Sequence, residues 1–237
     1  PGMGARQESE LIATIIAVRR GEVDDALSKM REQRQAASEP RHRRQFDERI
    51  VMTLLYARRW EEAIQTYETG FSGDFGTTSP QLMVEMVRAY CEAEDLDTAA
   101  ALIARLEDSP FGREPVLGAL MHRARLVFLA FVGRTGAVET LVSGPLAAMP
   151  ESARFFWSGI ARLNAGDKAG AKSSLSQAAE SSPRDSRARE LADSILRSVD
   201  EPGVAGPRSV SSEVAQLADR LTAVAADAKR APQSPVA

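Results

Sequence analysis

The chain has 237 residues, and 30 basic against 33 acidic side chains leave a net charge of −3. Hydrophobic residues make up 43% and charged residues 27% of the chain, an ordinary globular composition that excludes disorder along the whole length. Aromatic residues at 5% disfavour a β-sandwich, and the near-neutral charge gives no electrostatic reason to expect a nucleic-acid partner.

Amphipathic helical segments follow one another in pairs, and a tight turn joins the two helices of each pair. Two helix starts carry capping signals: Ser79 precedes Pro80, and Asp167 opens a later helix. The pairs occupy residues 6–37, 42–70, 79–108, 114–144 and 150–183, with helices predicted at 6–20, 22–37, 42–57, 59–70, 79–93, 95–108, 114–132, 134–144, 150–165 and 167–181.

Four further segments are predicted after the last pair. Residues 184–199 form a helix with one apolar stripe, typical of the cap that a helical repeat array needs at its end. Residues 200–209 contain two prolines and two glycines and are predicted to be a flexible linker. Residues 210–229 form an amphipathic helix that folds back onto the repeats, frays as an extension or serves as a spacer toward a further domain, and residues 230–237 have a disordered composition. The stripe of the amphipathic helix consists of Val214, Leu217, Leu221 and Val224.

A recurrent pattern surrounds the turn within each pair. The residues that best fit the turn stand at positions 21, 58, 94, 133 and 166, at spacings of 37, 36, 39 and 33. Five residues after each turn comes a small or branched side chain, and four residues later comes a larger apolar one on the same helical face. Where two helices cross closely, one side chain must be small and its larger neighbour fills the adjacent groove. The small set is Ala26, Ala63, Ala99, Val138 and Ala171, and the large set is Met30, Tyr67, Ile103, Val142 and Leu175.

This period and spacing resemble the tetratricopeptide repeat, a helix-turn-helix unit of 34 residues. Arg58 and Glu94 depart from the family pattern because they stand where a turn glycine is usual, so the repeats are degenerate. The resemblance covers roughly residues 6–183, and the alternative is an irregular α-bundle with chance periodicity. The match is best in the last pair, where Gly159 corresponds to the close-contact glycine, Gly166 to the turn, Ala171 and Ala178 to the small positions and Pro183 to the terminating proline.

The resemblance implies an all-α fold: a right-handed superhelical solenoid of about five degenerate helix pairs over residues 5–199, with a C-terminal capping helix. In this family the first helices of successive repeats line a concave groove. The lysine and asparagine pattern with which some members hold a C-terminal carboxylate is absent here. Because the first helices line the groove, the resemblance places a peptide-binding groove in this chain. Its residues are Met52, Tyr56, Val84, Arg88, Arg123, Val127, Phe131, Phe156, Ile160 and Asn164.

Side chains with catalytic or metal-binding chemistry are few and scattered. Cys91 is the single cysteine and His42 and His122 are the two histidines, too few for a disulfide or for a structural zinc site with four ligands. We expect Cys91 to pack as a small hydrophobic residue and His122 to lie at the core edge or in solvent. Residues 74–76 spell Asp-Phe-Gly without the other kinase motifs and are expected to form a turn.

Two charged clusters stand out. Arg41, His42, Arg43 and Arg44 form the one dense basic patch, which we expect to be a solvated helix start although cations there oppose the helix macrodipole. A contact with a phosphate or an acidic peptide is the alternative for this patch. The acidic residues of segment 92–97 are expected to form a solvated turn.

We therefore expect a non-catalytic protein–protein interaction module or scaffold, with another protein or a peptide as its partner, no nucleic-acid partner and no cofactor. The lone cysteine favours a reducing compartment, so we expect a cytoplasmic protein or the cytosolic part of a membrane protein. The longest apolar run is seven residues, against about 20 for a bilayer span, so we expect no membrane insertion. No signal-peptide pattern is present, and the start Pro-Gly-Met is typical of a tag remnant, so we expect a longer native chain.

The alternative function is a soluble regulatory or docking segment of a larger bacterial enzyme, including one embedded in a membrane. A degenerate repeat array followed by a proline-rich tail is weakly similar to the soluble repeat regions attached to some bacterial rhomboid-type intramembrane proteases. No catalytic residue carries over from that family.

Overall fold

The computed structural model describes residues 16–18, 20–71, 78–109, 117–184, 186–204 and 206–230. Within these ranges every regular element is a helix and no strand occurs, which confirms the predicted all-α class. Most of the predicted helix 6–20, the Asp-Phe-Gly triplet and nearly all of the predicted disordered tail lie outside the described residues. The chain divides into two compact units, Pro1–Glu94 and Asp95–Ala237.

In the described part of unit 1, helical residues 16–18 and 20 are followed by four helices, whose bounds lie close to the predicted ones. Successive helices pack against each other, and the second also contacts the fourth. The N-cap predicted at Ser79 is confirmed, since its hydroxyl oxygen accepts a hydrogen bond from the Leu82 N–H at 3.3 Å and Pro80 occupies the first turn. The helices are α1 Val23–Ala36, α2 Pro40–Tyr56, α3 Trp60–Phe71 and α4 Pro80–Glu92.

Seven helices build the described part of unit 2. The N-cap predicted at Asp167 is confirmed, because its carboxylate accepts a hydrogen bond from the Gly170 N–H at 2.9 Å. The helices are α5 Leu96–Asp108, α6 Gly118–Phe131, α7 Thr135–Ser143, α8 Glu151–Asn164, α9 Lys168–Glu180, α10 Arg187–Ser198 and α11 Ser212–Arg230. From α5 to α10, each helix packs against the next one along the chain, and α11 lies against α5, α6 and α7.

The five aligned turn residues share a left-handed backbone conformation. At Gly133 the N–H donates to the Ala130 carbonyl at 3.2 Å and the next N–H, of Arg134, donates to the Leu129 carbonyl at 2.9 Å. This pair of bonds is a Schellman motif, which ends a helix at a residue of positive φ. The same pair closes the turns at residues 21, 58 and 166. The five φ angles are 75° at Gly21, 61° at Arg58, 65° at Glu94, 76° at Gly133 and 84° at Gly166.

The small residues that follow the turns are buried at helix contacts. Ala63, Ala99, Val138 and Ala171 are each 0% exposed, and Ala26 is half-buried. Gly159 confirms the close contact expected between the helices of the last pair, since a Cβ there would lie 2.7 Å from Leu175 Cγ. These positions match the repeated small-residue pattern because only a short side chain leaves room for the facing helix.

The turn at Glu94 leads to a testable prediction. A residue with a Cβ loses about 1–2 kcal/mol in the left-handed conformation, which glycine adopts freely. We therefore expect Glu94→Gly to raise the free energy of unfolding by about 1 kcal/mol in urea titrations of the full chain. The control is Glu32→Gly at an exposed position inside α1, which should lower stability by about 1 kcal/mol. A loss of stability in Glu94→Gly would show that its side chain contributes more than the strained turn costs.

Candidate functional site

The groove residues predicted in unit 1 lie on α2 and α4, which contact each other. Val84 is buried, whereas Met52, Tyr56 and Arg88 are half-buried. The guanidinium carbon of Arg88 lies 5.6 Å from the centre of the Trp60 ring, and Arg88 Nε is 3.5 Å from Oε1 of Glu92. In this unit, three of the four predicted residues therefore keep part of their side chain accessible.

The groove residues predicted in unit 2 are mostly covered. Arg123 on α6 is exposed, and Phe156 on α8 is half-buried with its ring edge-on to Trp157 at 5.3 Å. Phe156 also packs on the apolar cluster around Leu175 and Val199. The other four are nearly inaccessible: Val127, Phe131 and Ile160 are 7% exposed and Asn164 is 5% exposed.

Arg208 covers part of this surface, although its place in a stretch rich in proline and glycine is typical of a linker. Its Nε donates a hydrogen bond to Asn164 Oδ1 at 2.8 Å, and its guanidinium carbon lies 5.7 Å from the centre of the Phe131 ring. Asn164 in turn donates from Nδ2 to the Ala130 carbonyl at 3.2 Å. Pro207 lies against the turn at Gly166, where a Cβ would be 3.1 Å from its Cδ. The segment predicted as a linker thus makes specific contacts with two of the predicted groove residues.

Helix α11 continues this contact across unit 2. Together with the preceding residues it forms what we call the C-terminal arm, residues 206–230. Arg134 Nη2 is 2.8 Å from Oδ1 of Asp219, and the Ser211 hydroxyl donates to Asp97 Oδ1 at 2.6 Å. Of the predicted stripe, Val224 is exposed. The interpretation in which the helix folds back onto the repeats agrees with this packing, and the buried face of α11 consists of Val214, Leu217, Ala218, Leu221 and Ala225.

A partly buried charged cluster lies between α5 and α6. Arg125 forms two hydrogen bonds with the carboxylate of Glu107, from Nε at 2.6 Å and from Nη2 at 2.7 Å. Its Nη1 donates to Nδ1 of His122 at 3.1 Å. Burial and the positive charge of Arg125 lower the pKa of His122 below its ordinary value of 6.5, and the carboxylate of Glu107 opposes part of this shift. The cluster therefore favours the neutral form of His122 over the protonated form.

The lowered pKa of His122 predicts how stability depends on pH. The unfolded chain binds a proton at His122 more readily than the folded chain, so protonation favours unfolding. We expect the free energy of unfolding to decrease as the pH falls from 6.5 to the lowered pKa of His122 in the folded chain, and this contribution to level off at lower pH. His122→Gln should flatten this part of the curve, because it removes the titrating imidazole. An unchanged slope in His122→Gln would assign the dependence to other groups.

The remaining chemical candidates have structural partners. Cys91 is fully buried in α4, as expected of a small hydrophobic residue. Asp95 caps α5 by accepting a hydrogen bond from the Thr98 N–H at 3.0 Å, and Asp97 accepts from Ser211. Across the ranges that the structure describes, no group of three or more His, Cys, Asp and Glu side chains is arranged to hold a metal ion.

Comparisons with known proteins found no matching family model, no matching curated protein and no matching solved structure. Among the helices in the described ranges, none combines the length and the apolar character that a bilayer span requires.

Proposed function

We propose that this chain is a non-catalytic protein–protein interaction module built from degenerate tetratricopeptide-like helix pairs. It binds a helix or peptide on the surface formed by the first helix of each pair. The docking of the C-terminal arm carries this proposal. An amphipathic helix and a preceding arginine already rest on unit 2, and the arginine contacts Phe131 and Asn164, both predicted groove residues. Binding an amphipathic helix through a row of apolar anchors is a recurrent mode of peptide recognition.

The repeat interpretation is supported by the turns and by the small residues that follow them. Five turn residues in a common left-handed conformation recur at the spacing expected of helix pairs. Helix pairs of this kind leave an apolar face that a neighbouring element must cover. In the described part of unit 2, the arm covers such a face on α5, α6 and α7.

A partner in trans is proposed to use the accessible side chains of unit 1, namely Met52, Tyr56 and Arg88. Tyrosine and arginine are enriched among residues that dominate binding energy, because they offer a large contact area and directed hydrogen bonds. Phe131 is unsuited to an affinity test, because it is buried. The centre of its ring lies 6.5 Å from the centre of the Trp157 ring, and the guanidinium of Arg208 lies over it.

The experiment is affinity capture on the full chain, identification of the partner, and titration of that partner against point variants. We expect Tyr56→Ala to weaken binding by about 1–3 kcal/mol, roughly 5- to 150-fold, because it removes a half-buried aromatic anchor. Gln65→Ala on the exposed face of α3 is the control and should leave affinity unchanged. Circular dichroism checks that each variant is folded. If Gln65→Ala abolishes binding while Tyr56→Ala and Arg88→Ala do not, the partner uses another surface.

A further inference from the structure

The C-terminal arm is attached to unit 2 through a single face of its helix. The residues of the buried face of α11 recur at the three- and four-residue spacing of one helical side, and α5, α6 and α7 lie beneath them. On the outer side of α11, the charged residues Glu213, Asp219 and Arg220 are exposed. The arm therefore lies on unit 2 in the manner in which an amphipathic helix occupies a binding surface of another protein.

Arg208 is the second anchor of the arm, and it reaches the ends of two helices. Its Nε donates to Oδ1 of Asn164 at 2.8 Å, and its guanidinium carbon lies 5.7 Å from the centre of the Phe131 ring. Helix α6 ends at Phe131 and α8 ends at Asn164. Asn164 is itself held in place, because its Nδ2 donates to the Ala130 carbonyl at 3.2 Å. Unit 2 thus presents a fixed acceptor and a ring to one arginine of the helix that it binds.

The other contacts of the arm add little to its hold on unit 2. The buried face of α11 contains valine, leucine and alanine but no aromatic residue, so it buries less apolar area than a face with aromatic side chains. In the ion pair of Arg134 with Asp219 the side chains are 39% and 70% exposed, and exposed pairs contribute little to stability. An arm held in this way can exchange with another helix that makes the same contacts.

The chain that precedes the arm provides a hinge. Val199 is buried, and Val204 packs on the apolar cluster to which Val199 belongs, so the chain is held as far as residue 204. Gly203 has φ +85°, and an added Cβ at Gly203 or Gly206 would meet nothing within 4 Å. No part of the fold fills the space beside these two glycines, and glycine allows the backbone to change direction freely. The arm can therefore leave unit 2 while α10 stays in place.

We propose that the C-terminal arm is a built-in competitor, which masks a helix-binding face of unit 2 until an amphipathic helix of another protein displaces it. The displacing helix carries the pattern of the arm itself: an arginine upstream of a stripe of valine, leucine and alanine, and a carboxylate on the flank that pairs with Arg134. This inference rests on the proposed function, because it adds a masked and an open state to a helix-binding module.

Competition by a tethered arm has a measurable consequence of unusual sign. A segment on a short flexible linker competes at an effective concentration in the millimolar range. The apparent affinity for an added helix is reduced in proportion to the fraction of molecules whose binding face is open. A substitution that weakens only the tethered arm should therefore strengthen the binding of an added helix.

The first experiment is fluorescence anisotropy on the full chain, with a labelled synthetic peptide of residues 206–230 as the probe. We expect Arg208→Ala in the chain to bind this probe about tenfold more tightly than the unaltered chain does, because the tethered arm loses a hydrogen bond from a charged group while the probe keeps its own arginine. Arg220→Ala is the matched control. It removes an arginine from the exposed side of α11 and should leave the affinity within about twofold. A second probe with Leu217→Ser and Leu221→Ser should not bind.

Hydrogen–deuterium exchange on the same full-length proteins separates a displaceable arm from an integral helix. We expect the amides of α11 to exchange faster than those of α8 in the unaltered chain, because a helix docked on one face opens locally. Arg208→Ala should raise the exchange rate in α11 by about tenfold and leave that in α8 unchanged. If α11 and α8 are equally protected and both lose protection in Arg208→Ala, the arm opens only when unit 2 unfolds, and the proposal is overturned.

Three results of the binding experiment would also overturn the proposal: no gain in affinity in Arg208→Ala, an equal gain in Arg220→Ala, or equal binding of the serine-substituted probe. Light scattering on the unaltered chain tests the choice of partner. A dimer that the unsubstituted probe dissociates would assign the face to the arm of a second copy instead of another protein. Tyr56→Ala should leave probe binding unchanged, so failure here and failure of the partner surface proposed for unit 1 are distinguishable.

Discussion

Replacing Gly133 by alanine is expected to lower the free energy of unfolding by about 3 kcal/mol, the sum of a left-handed backbone and an overpacked contact. Gly133 has φ +76°, and an added Cβ would lie 2.9 Å from the Asn164 carbonyl oxygen and 3.0 Å from the Ala165 nitrogen. These atoms are backbone at the end of α8, so they cannot move aside as a flexible side chain can. The measurement is urea unfolding of the full chain followed by circular dichroism.

The control for this variant is Gly136→Ala. Gly136 lies in α7, and an added Cβ there would meet nothing within 4 Å. Alanine favours a helix over glycine by about 1 kcal/mol, so the control should be neutral or slightly stabilising. Equal losses in both variants would show that α6 and α8 are not in contact at the turn.

Replacing Arg125 by alanine is expected to cost about 3–5 kcal/mol, because breaking a buried ion pair leaves the carboxylate of Glu107 without its partner. The side chain of Arg125 is 9% exposed and that of Glu107 is 22% exposed, so water replaces little of the lost interaction. Thermal unfolding of the full chain would measure the loss.

A double substitution tests the cause of this loss. Removing both charges in Arg125→Leu with Glu107→Leu leaves no carboxylate without its ion-pair partner, so the double variant should be more stable than Arg125→Ala alone. The control is Arg162→Ala, whose partner Glu139 is 54% exposed, and a surface pair of this kind contributes only about 0–1 kcal/mol. If the double variant is the least stable, the pair contributes net stability and does not merely compensate for its own burial.

The elements that follow from local pattern were predictable from the sequence. Helix bounds and the caps at Ser79 and Asp167 depend on residues within one or two turns of each other. The close contact between Gly159 and Leu175 joins two helices and was expected only from the family resemblance. The left-handed turns at Arg58 and Glu94 were also located, although neither is glycine, because the apolar pattern on both sides fixes where one helix ends. Sequence spacing is informative wherever the interacting residues are neighbours along the chain.

The contacts made by Arg208 and Arg125 could not be predicted in the same way. Arg208 follows a stretch rich in proline and glycine, which is typical of linkers, and its partner Asn164 is 44 residues away. Arg125 lies beside an apolar run and its partner Glu107 is 18 residues away. The groove residues of unit 2 follow from family resemblance alone, and two of them, Phe131 and Asn164, contact Arg208 of the C-terminal arm, whose position no local pattern specifies.

The arm also bears on how this chain folds during synthesis. Its contacts join residues far apart in sequence: Ser211 and Asp97 are 114 residues apart, and Asp219 and Arg134 are 85 apart. Helices α5 to α7 end at Ser143, whereas α11 ends at Arg230. At about 5–20 residues per second, on the order of ten seconds separate the synthesis of these two points. During that interval α11 does not yet cover the apolar faces of α5 to α7 on the nascent chain. The interval is long enough for a ribosome-associated chaperone to bind these faces.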